Sequence, residues 1–244
     1  MDQVAAFLLG LTSATVGAIA AGGGLISIPG MIFLGLTPVS AIATTRLNIM
    51  SGGILAINQY RKAGVLVWKY IVPFLLISLV AGIVGPSLLL AIDPNIVKRL
   101  VGITLLIMLP ALWYKKDAGT IKAVRSQRRK LVGFLVVLAV MFYATMFGGG
   151  AGIFLIYTFV YFFGMTVIEA NSTGLILMMV ATAAALITYI SGGAVNWSLG
   201  IPAMMGAFIG GYVGAHLALK KGAVWVKAVL TLVIIISGVK LTFL

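Results

Sequence analysis

Two polar clusters interrupt a chain that is otherwise almost wholly apolar. "ATTRLN" covers residues 43–48 and "EANSTG" covers residues 169–174, and each lies at the start of a long apolar segment. A charged or strongly polar side chain inside such a segment is costly unless it has a partner or faces a cavity. Hydroxyl and amide groups form hydrogen bonds, and the guanidinium of Arg46 suits oxyanions geometrically. The clusters therefore predict a binding site for a small anion.

The side chains that we expect to contact the anion are Thr44, Thr45, Arg46, Asn171, Ser172 and Thr173. Helix capping is the alternative role for the hydroxyl and amide residues, but it would explain one or two of them and not a cluster in both places. Snorkelling toward the lipid headgroups is the alternative for Arg46. Glu169 is a candidate for proton coupling; it could instead pair with Arg46 or lie at the headgroup level.

Two glycine triplets are the other candidate site elements. Gly22, Gly23 and Gly24 form the first, and Gly148, Gly149 and Gly150 form the second. Each glycine costs roughly 1 kcal/mol against alanine inside a helix, so the triplets predict helix breaks. Amides freed at a helix N-terminus bind anions. Close helix packing through small residues is the alternative, although such motifs are usually spaced by four residues.

The composition indicates the class of protein that holds these residues. The hydrophobic fraction is 62% and the mean hydropathy is +1.20, whereas about half of an ordinary soluble domain is apolar. Continuous apolar runs of about 20 residues recur along the chain, which is the length that crosses a bilayer as a helix. We therefore predict an all-α polytopic membrane protein with the lipid bilayer as its surroundings.

Several function classes are disfavoured by the residue inventory. The chain has no cysteine, one histidine and four acidic residues, so thiol chemistry is excluded and a catalytic metal cluster is not expected. No nucleotide-binding or hydrolase motif is present. We predict no enzyme activity and no cofactor. The net charge of +13 could attract nucleic acid, but basic cytoplasmic loops explain it better.

Hydropathy predicts six full spans and two shorter apolar pairs. The full spans are near 43–60, 66–92, 97–114, 168–190, 194–219 and 223–243. The pairs are 4–21 with 25–36 and 131–147 with 151–164, and a glycine triplet joins the members of each. The second members are too short to span at 1.5 Å per residue, whether the pairs re-enter or cross. Four aromatic residues flank turns and are predicted to lie as anchors at the membrane–water interface: Tyr60, Tyr189, Trp68 and Trp197.

An internal repeat divides the chain into two halves. An offset of 129 residues aligns 35–98 with the second half without a gap, pairing Gly35 with Gly164, Tyr60 with Tyr189 and Trp68 with Trp197. The triplets align at an offset of 126. We therefore predict a first transmembrane repeat over 1–114, a basic linker over 115–130 and a second repeat over 131–244.

The charges of the turns predict how the two repeats are oriented. The central linker has many basic residues and a single acid, so it should be cytoplasmic. Arg61 and Lys62 then fall on the same side, whereas the equivalent Ile190 and Ser191 carry no charge. This opposite bias in basic charge between equivalent turns favours inverted-topology repeats. Each repeat would consist of a glycine-broken short helix pair plus three full transmembrane helices. Counting each pair as one crossing would instead make the repeats parallel.

The motifs also resemble a known family. "GGGLISIPGMIFLGLTPVSAIATTRLN" (22–48), "GGGAGIFLIYTFVYFFGMTVIEANSTG" (148–174) and "GGAVNW" (192–197) are similar to the repeat signatures of the TauE/SafE sulfite exporter (TSUP) family. The resemblance covers nearly the whole chain. It implies a secondary carrier of sulfite, sulfonates or related organosulfur anions in a bacterial or archaeal inner membrane. Relatives commonly show a small residue followed by Lys where this chain has "TTRLN", and some keep a polar residue at Gly174 or Leu175.

Together these features predict a secondary transporter for a small anion. The clusters and triplets would bind the anion, and rocking of one repeat against the other would give alternating access. We expect a multi-pass protein of the cell membrane with a cytoplasmic central loop. A passive anion channel with the same site and a non-transporting membrane scaffold are the alternatives. Substrate identity, direction, coupling ion and oligomeric state are left open by the sequence.

Overall fold

The computed structural model describes residues 1–93, 96, 119, 122 and 124–242, and these residues form helices without any strand. The helices are α1 (Asp2–Ala20), α2 (Gly23–Phe33), α3 (Pro38–Lys62), α4 (Trp68–Leu90), α5 (Gln127–Met146), α6 (Ala151–Thr158), α7 (Val167–Ser191) and α8 (Trp197–Thr242). A π-helical turn, Phe159–Phe163, extends α6. Helix α8 is interrupted at Gly222, whose φ of 80° is not helical. The predicted span 97–114 lies outside the described residues.

The all-α membrane architecture is confirmed. Within the described part of the chain, five helices are long and apolar enough to cross a membrane: α1, α4, α5, α7 and the Trp197–Gly222 part of α8. Helices α2 and α6 with its π-helical turn are shorter, as predicted. The structure differs from the predicted short pairs in one respect. Helices α1 and α5, with 19 and 20 residues, are each long enough to cross the membrane alone.

Helix α3 behaves differently from the other predicted spans. It has 25 residues, which at 1.5 Å per residue is long enough to cross a bilayer. It is nevertheless not among the five apolar helices, because the polar cluster that it carries lowers its hydropathy. The burial of that cluster compensates: residues 41–48 are all buried in the protein. The first half of α3 therefore lies inside the protein, whereas Ile54 in its second half is exposed.

Equivalent positions of the two halves begin and end their helices in the same way. Thr37 caps α3 by accepting a hydrogen bond from the Ser40 amide, and Thr166 caps α7 by accepting one from the Glu169 amide. At the other ends, Gly64 and Gly193 adopt φ values of 68° and 64°. Residues with a side chain rarely adopt this left-handed conformation, so glycine is required at both turns. The 129-residue offset is thus preserved in the backbone.

A stripe of glycines lets α8 pack directly on the backbone of α1. A Cβ atom added at Gly206, Gly210 or Gly214 would collide with backbone atoms of α1, at the carbonyls of Phe7, Leu11 and Thr15. The stripe has a spacing of four residues, which places the three glycines on one helix face. Any larger side chain there would force the two helices apart.

Each half of the chain packs its fourth helix on the third helix of the other half. Gly82 of α4 lies against the backbone of Ala181 in α7, and Gly211 of α8 lies against the backbone of Gly52 in α3. These two contacts are related by the 129-residue offset, since 82 aligns with 211 and 52 with 181. Reciprocal contacts of this kind are what a two-fold relation between halves produces.

Candidate functional site

A cavity of about 80 Å³ lies where the two halves meet. Its walls come from α1, α2, α3, α6, α7 and the glycine breaks. Of the predicted site residues, it is lined by Gly23, Gly24, Thr45, Gly148 and Asn171. The predicted residues that do not line it are Gly22, Thr44, Arg46, Gly149, Gly150, Ser172 and Thr173. The structure therefore brings both glycine triplets and both polar clusters to one place, but only part of each faces the cavity.

The two glycine triplets lie against each other. A Cβ atom at Gly24 would be 2.9 Å from the carbonyl oxygen of Gly148 and 3.3 Å from the Cα atom of Gly149. Because both triplets lack side chains, the start of α2 and the backbone leading into α6 can meet at this distance. The first amides of a helix have no acceptor within the helix. The Leu25 amide donates to the Gly22 carbonyl at 3.0 Å, whereas the two amides before it belong to Gly23 and Gly24, which line the cavity.

Arg46 holds the end of α5. Its side chain is 1% exposed, and its Nη2 atom donates hydrogen bonds to the carbonyl oxygens of Ala144 at 2.9 Å and Thr145 at 2.8 Å. These carbonyls belong to the last turn of α5, where a cation is favourable because of the helix dipole. The side chain is buried, which excludes snorkelling. Its guanidinium lies directly behind Gly148, where an added Cβ atom would be 3.2 Å from Nη2.

Asn171 holds the end of α1 in the same way. Its Nδ2 atom donates to the carbonyl oxygens of Ala18 at 2.5 Å and Ile19 at 3.2 Å. Residues 18 and 19 correspond to 144 and 145 at the triplet offset of 126. A donor from the first half thus satisfies the last carbonyls of α5, and a donor from the second half satisfies those of α1.

Tyr60 and Tyr189 complete these two helix ends, and their predicted role as interfacial anchors is wrong. Both side chains are fully buried. The Tyr60 hydroxyl donates to the Ala18 carbonyl at 2.5 Å, and the Tyr189 hydroxyl donates to the Thr145 carbonyl at 2.9 Å. Aromatic residues near span ends usually lie in the headgroup region, but here the unpaired carbonyls of a broken helix require donors. Trp68 and Trp197, by contrast, are about half exposed.

Thr44 and Thr173 form an equivalent pair of contacts between the halves. The Thr44 hydroxyl accepts a hydrogen bond from the backbone amide of Asn196 at 2.9 Å, and the Thr173 hydroxyl accepts one from the backbone amide of Val67 at 3.3 Å. Both donors belong to the turns that lead into α8 and α4. Ser172 adds a hydrogen bond to the Val65 carbonyl at 3.1 Å. These three side chains fix the turns of the opposite half.

Asn48 is the cavity residue that sequence reasoning missed. It lines the cavity and is 4% exposed, and among the described residues neither its Nδ2 nor its Oδ1 atom has a hydrogen-bond partner. It is the last residue of the first polar cluster and lies three residues after Thr45, on the same helix face. That spacing was the available signal. Ser13 and Ser27 also line the cavity.

Glu169 lies at the start of α7 and does not line the cavity. Its Oε2 atom accepts hydrogen bonds from the Thr166 amide at 3.0 Å and from the Thr166 hydroxyl at 3.1 Å, which is a capping box. Its Oε1 atom pairs with the Lys122 ammonium at 2.6 Å. In the described part of the chain, therefore, its ion pair joins α7 to the central linker and does not involve Arg46.

Comparison with known proteins identifies a family. The model of the sulfite exporter TauE/SafE family matches residues 5–241. A probable membrane transporter protein, ORF9, of a Sinorhizobium species is 28% identical over 242 residues, covering 98% of this chain and 90% of that protein. A probable membrane transporter protein of Haemophilus influenzae is 25% identical and covers 97% of this chain and 93% of that protein. YfcA of Escherichia coli, also a probable membrane transporter protein, is 25% identical, with 97% and 88% covered. No solved structure matches the chain.

Proposed function

The chain belongs to the TauE/SafE sulfite exporter family of membrane transporters, and we propose that it is a secondary transporter for a small sulfur oxyanion or sulfonate. The observation that carries this proposal is the cavity in which the two glycine breaks meet, with the buried guanidinium of Arg46 behind Gly148. The names of the relatives specify no substrate, so the sulfur chemistry rests on the family description.

The electrostatics of the site favour an anion. Among the residues that the structure describes, no carboxylate pairs with Arg46. Its charge is stabilised by the carbonyls at the end of α5 and by the Tyr189 ring, whose centroid is 5.9 Å from the guanidinium carbon. The first amides of α2 contribute a further positive partial charge beside the cavity. A buried cation without a counter-charge is costly. A bound anion would supply that counter-charge.

The contacts between halves support alternating access. Thr44 and Thr173 each bind the turn of the opposite half, and Arg46 and Asn171 each bind the broken helix of the opposite half. Transporters built from inverted repeats bind substrate near the membrane midplane, between the repeats, and move one repeat against the other. We extend this to the present chain, with inverted repeats, a cell-membrane location and a cytoplasmic central linker.

Proton coupling through Glu169 is a hypothesis from the sequence, and we do not include it in the proposed function. The capping box and the Lys122 ion pair give this carboxylate an anchoring role that does not require a transported proton.

Transport by purified protein in liposomes tests the proposal. We expect uptake of sulfite that saturates with concentration and is accelerated by unlabelled sulfite on the opposite side. Saturation and exchange are the properties of a carrier. Large currents that rise linearly with the gradient would indicate a passive channel, and absence of anion flux would indicate a non-transporting scaffold.

A further inference from the structure

The side-chain amide of Asn48 is a buried, unsatisfied polar group in the wall of the cavity. Both its Nδ2 and Oδ1 atoms are buried and lack a hydrogen-bond partner among the described residues, while the residue lines the cavity wall. A buried amide without partners lowers the stability of the protein, because its donor and its acceptor each lose their hydrogen bonds to water and gain none in return. An unpaired group of this kind inside a cavity therefore points to a ligand that supplies the missing bonds.

Two other polar side chains of the cavity are already engaged. The Nδ2 atom of Asn171 donates to Ala18 and Ile19, and the Thr45 hydroxyl donates to the Ile42 carbonyl at 2.9 Å. The position equivalent to Asn48 in the second half is Leu177, which is fully buried. The twofold pattern of contacts is thus broken at this pair, and only the first half places an amide here.

We propose that Asn48 is a specificity-determining residue that selects a monoanion carrying a hydrogen-bond donor. This inference rests on the proposed transport function and deepens it. The Nδ2 atom donates to an oxygen of the anion, and the Oδ1 atom accepts from an N–H or O–H group of the same molecule. Protonated oxyanions such as hydrogen sulfite, and amino- or hydroxyl-bearing sulfonates, have both groups. Fully deprotonated or methyl-substituted oxyanions lack the donor.

Charge and size agree with this class of ligand. None of the residues that line the cavity is charged, and Arg46 lies behind Gly148 with Nη2 already bonded to two carbonyls. One buried positive charge balances a single negative charge. The cavity volume of about 80 Å³ exceeds the roughly 10–15 Å³ that one water molecule needs on this measure. The cavity therefore has room for a small ligand larger than a single water.

Sulfamate and methanesulfonate are a pair of probes that test for the hydrogen-bond donor on the anion. Both are monoanions with one sulfur, three oxygens and one further non-hydrogen atom, and they differ by an amino group in place of a methyl group. Equilibrium binding to the purified protein in detergent should favour sulfamate by about tenfold, the effect of one satisfied hydrogen bond. Equal affinities in the wild-type protein would overturn the inference while leaving anion transport in place.

Two variants assign the preference to Asn48. Asn48→Leu introduces the residue of the equivalent position, and it should abolish the preference for sulfamate. Thr182→Val is the matched control, because the Thr182 hydroxyl is also buried without a partner among the described residues but does not line the cavity. It should keep the preference. An unchanged preference in Asn48→Leu would overturn the role of Asn48.

The outcomes also separate the inference from the proposed function. If neither probe binds and sulfite does not bind either, both the transport proposal and the inference fail. If sulfite binds while the wild-type protein shows no preference between the probes, only the inference fails, and ordered water is then the partner of the Asn48 amide. The wild-type comparison stands even if Asn48→Leu does not fold.

Discussion

Arg46 meets two requirements at once, and substitutions can separate them. Its hydrogen bonds satisfy the last carbonyls of α5, and its charge lies directly behind a glycine of the cavity. A glutamine could still donate to the carbonyls, as the amide of Asn171 does at the end of α1, but it carries no charge. A lysine keeps the charge but lacks the fork of donors.

We therefore expect Arg46→Gln to fold and to bind anions at least tenfold more weakly. A charge about 8 Å from a bound anion contributes about 2 kcal/mol at an effective dielectric constant of 20, which exceeds a tenfold effect. Arg46→Lys should retain more of the binding. Sulfite titration of both variants, with thermal melting as the control for folding, measures this. Full affinity in Arg46→Gln would show that the charge of Arg46 does not contribute to anion binding.

Glu169 offers a similar separation of anchoring from proton coupling. Glutamine preserves a capping box, and the ion pair that it would lose involves an exposed lysine, a kind of pair that contributes little. We expect Glu169→Gln to keep the wild-type dependence of transport on pH, measured as sulfite flux in liposomes across an imposed pH range. Loss of that dependence, with binding intact, would instead assign the coupling proton to Glu169.

At the scale of the helix, the glycine stripe of α8 sets the distance to α1. Alanine at Gly210 would place a Cβ atom against the carbonyl of Leu11, so the helices must separate or shift. We expect Gly210→Ala to destabilise the protein by about 1–3 kcal/mol, the usual cost of overpacking. Thermal unfolding in detergent measures the change.

Gly174→Ala in α7 is the control for this experiment. A Cβ atom there would meet its nearest neighbour, a Leu155 side-chain atom, at 3.6 Å, an ordinary contact. Alanine also favours the helix more than glycine does. The stability of Gly174→Ala should therefore be unchanged or higher. Equal destabilisation of the two variants would show that steric contact with α1 is not the cause.

The helices also indicate why part of the site could be predicted and part could not. The offset between the halves located both polar clusters and both helix breaks, because residues repeated in duplicated halves occupy equivalent positions. It could not predict which side of α3 faces the cavity: Thr45 and Asn48 line the cavity, whereas Thr44, next to Thr45, binds the turn before α8. Successive helical residues differ by about 100°, so this choice depends on the rotation of α3, which tertiary packing sets.

The helix breaks require hydrogen-bond donors that the sequence alone does not identify. A helix that ends inside the protein leaves carbonyls that need donors, so the glycine triplets imply such donors. Their identity depends on contacts between halves, and they are Arg46, Asn171 and the two buried tyrosines. Hydropathy placed the tyrosines at the interface because they lie near the ends of their helices, and it carries no information about acceptors deep in the protein.

At the scale of the whole molecule, the reciprocal contacts between halves fit either an inverted or a parallel pair of repeats. A two-fold axis in the membrane plane and one along the membrane normal both exchange equivalent contacts. The two arrangements differ in where equivalent turns emerge. Inverted repeats place them on opposite sides of the membrane, and parallel repeats place them on the same side.

Single-cysteine labelling decides between these arrangements, because the chain has no native cysteine. Lys62 and Ser191 are equivalent at the 129-residue offset, and both are exposed at the ends of α3 and α7. We expect a membrane-impermeant thiol reagent to label Ser191→Cys in intact cells and Lys62→Cys only after the membrane is opened. Arg128→Cys, in the basic linker, should behave like Lys62→Cys, since basic segments remain in the cytoplasm. Labelling of positions 62 and 191 from the same side would establish parallel repeats, and the rocking of inverted halves would then have to be abandoned as the basis of transport.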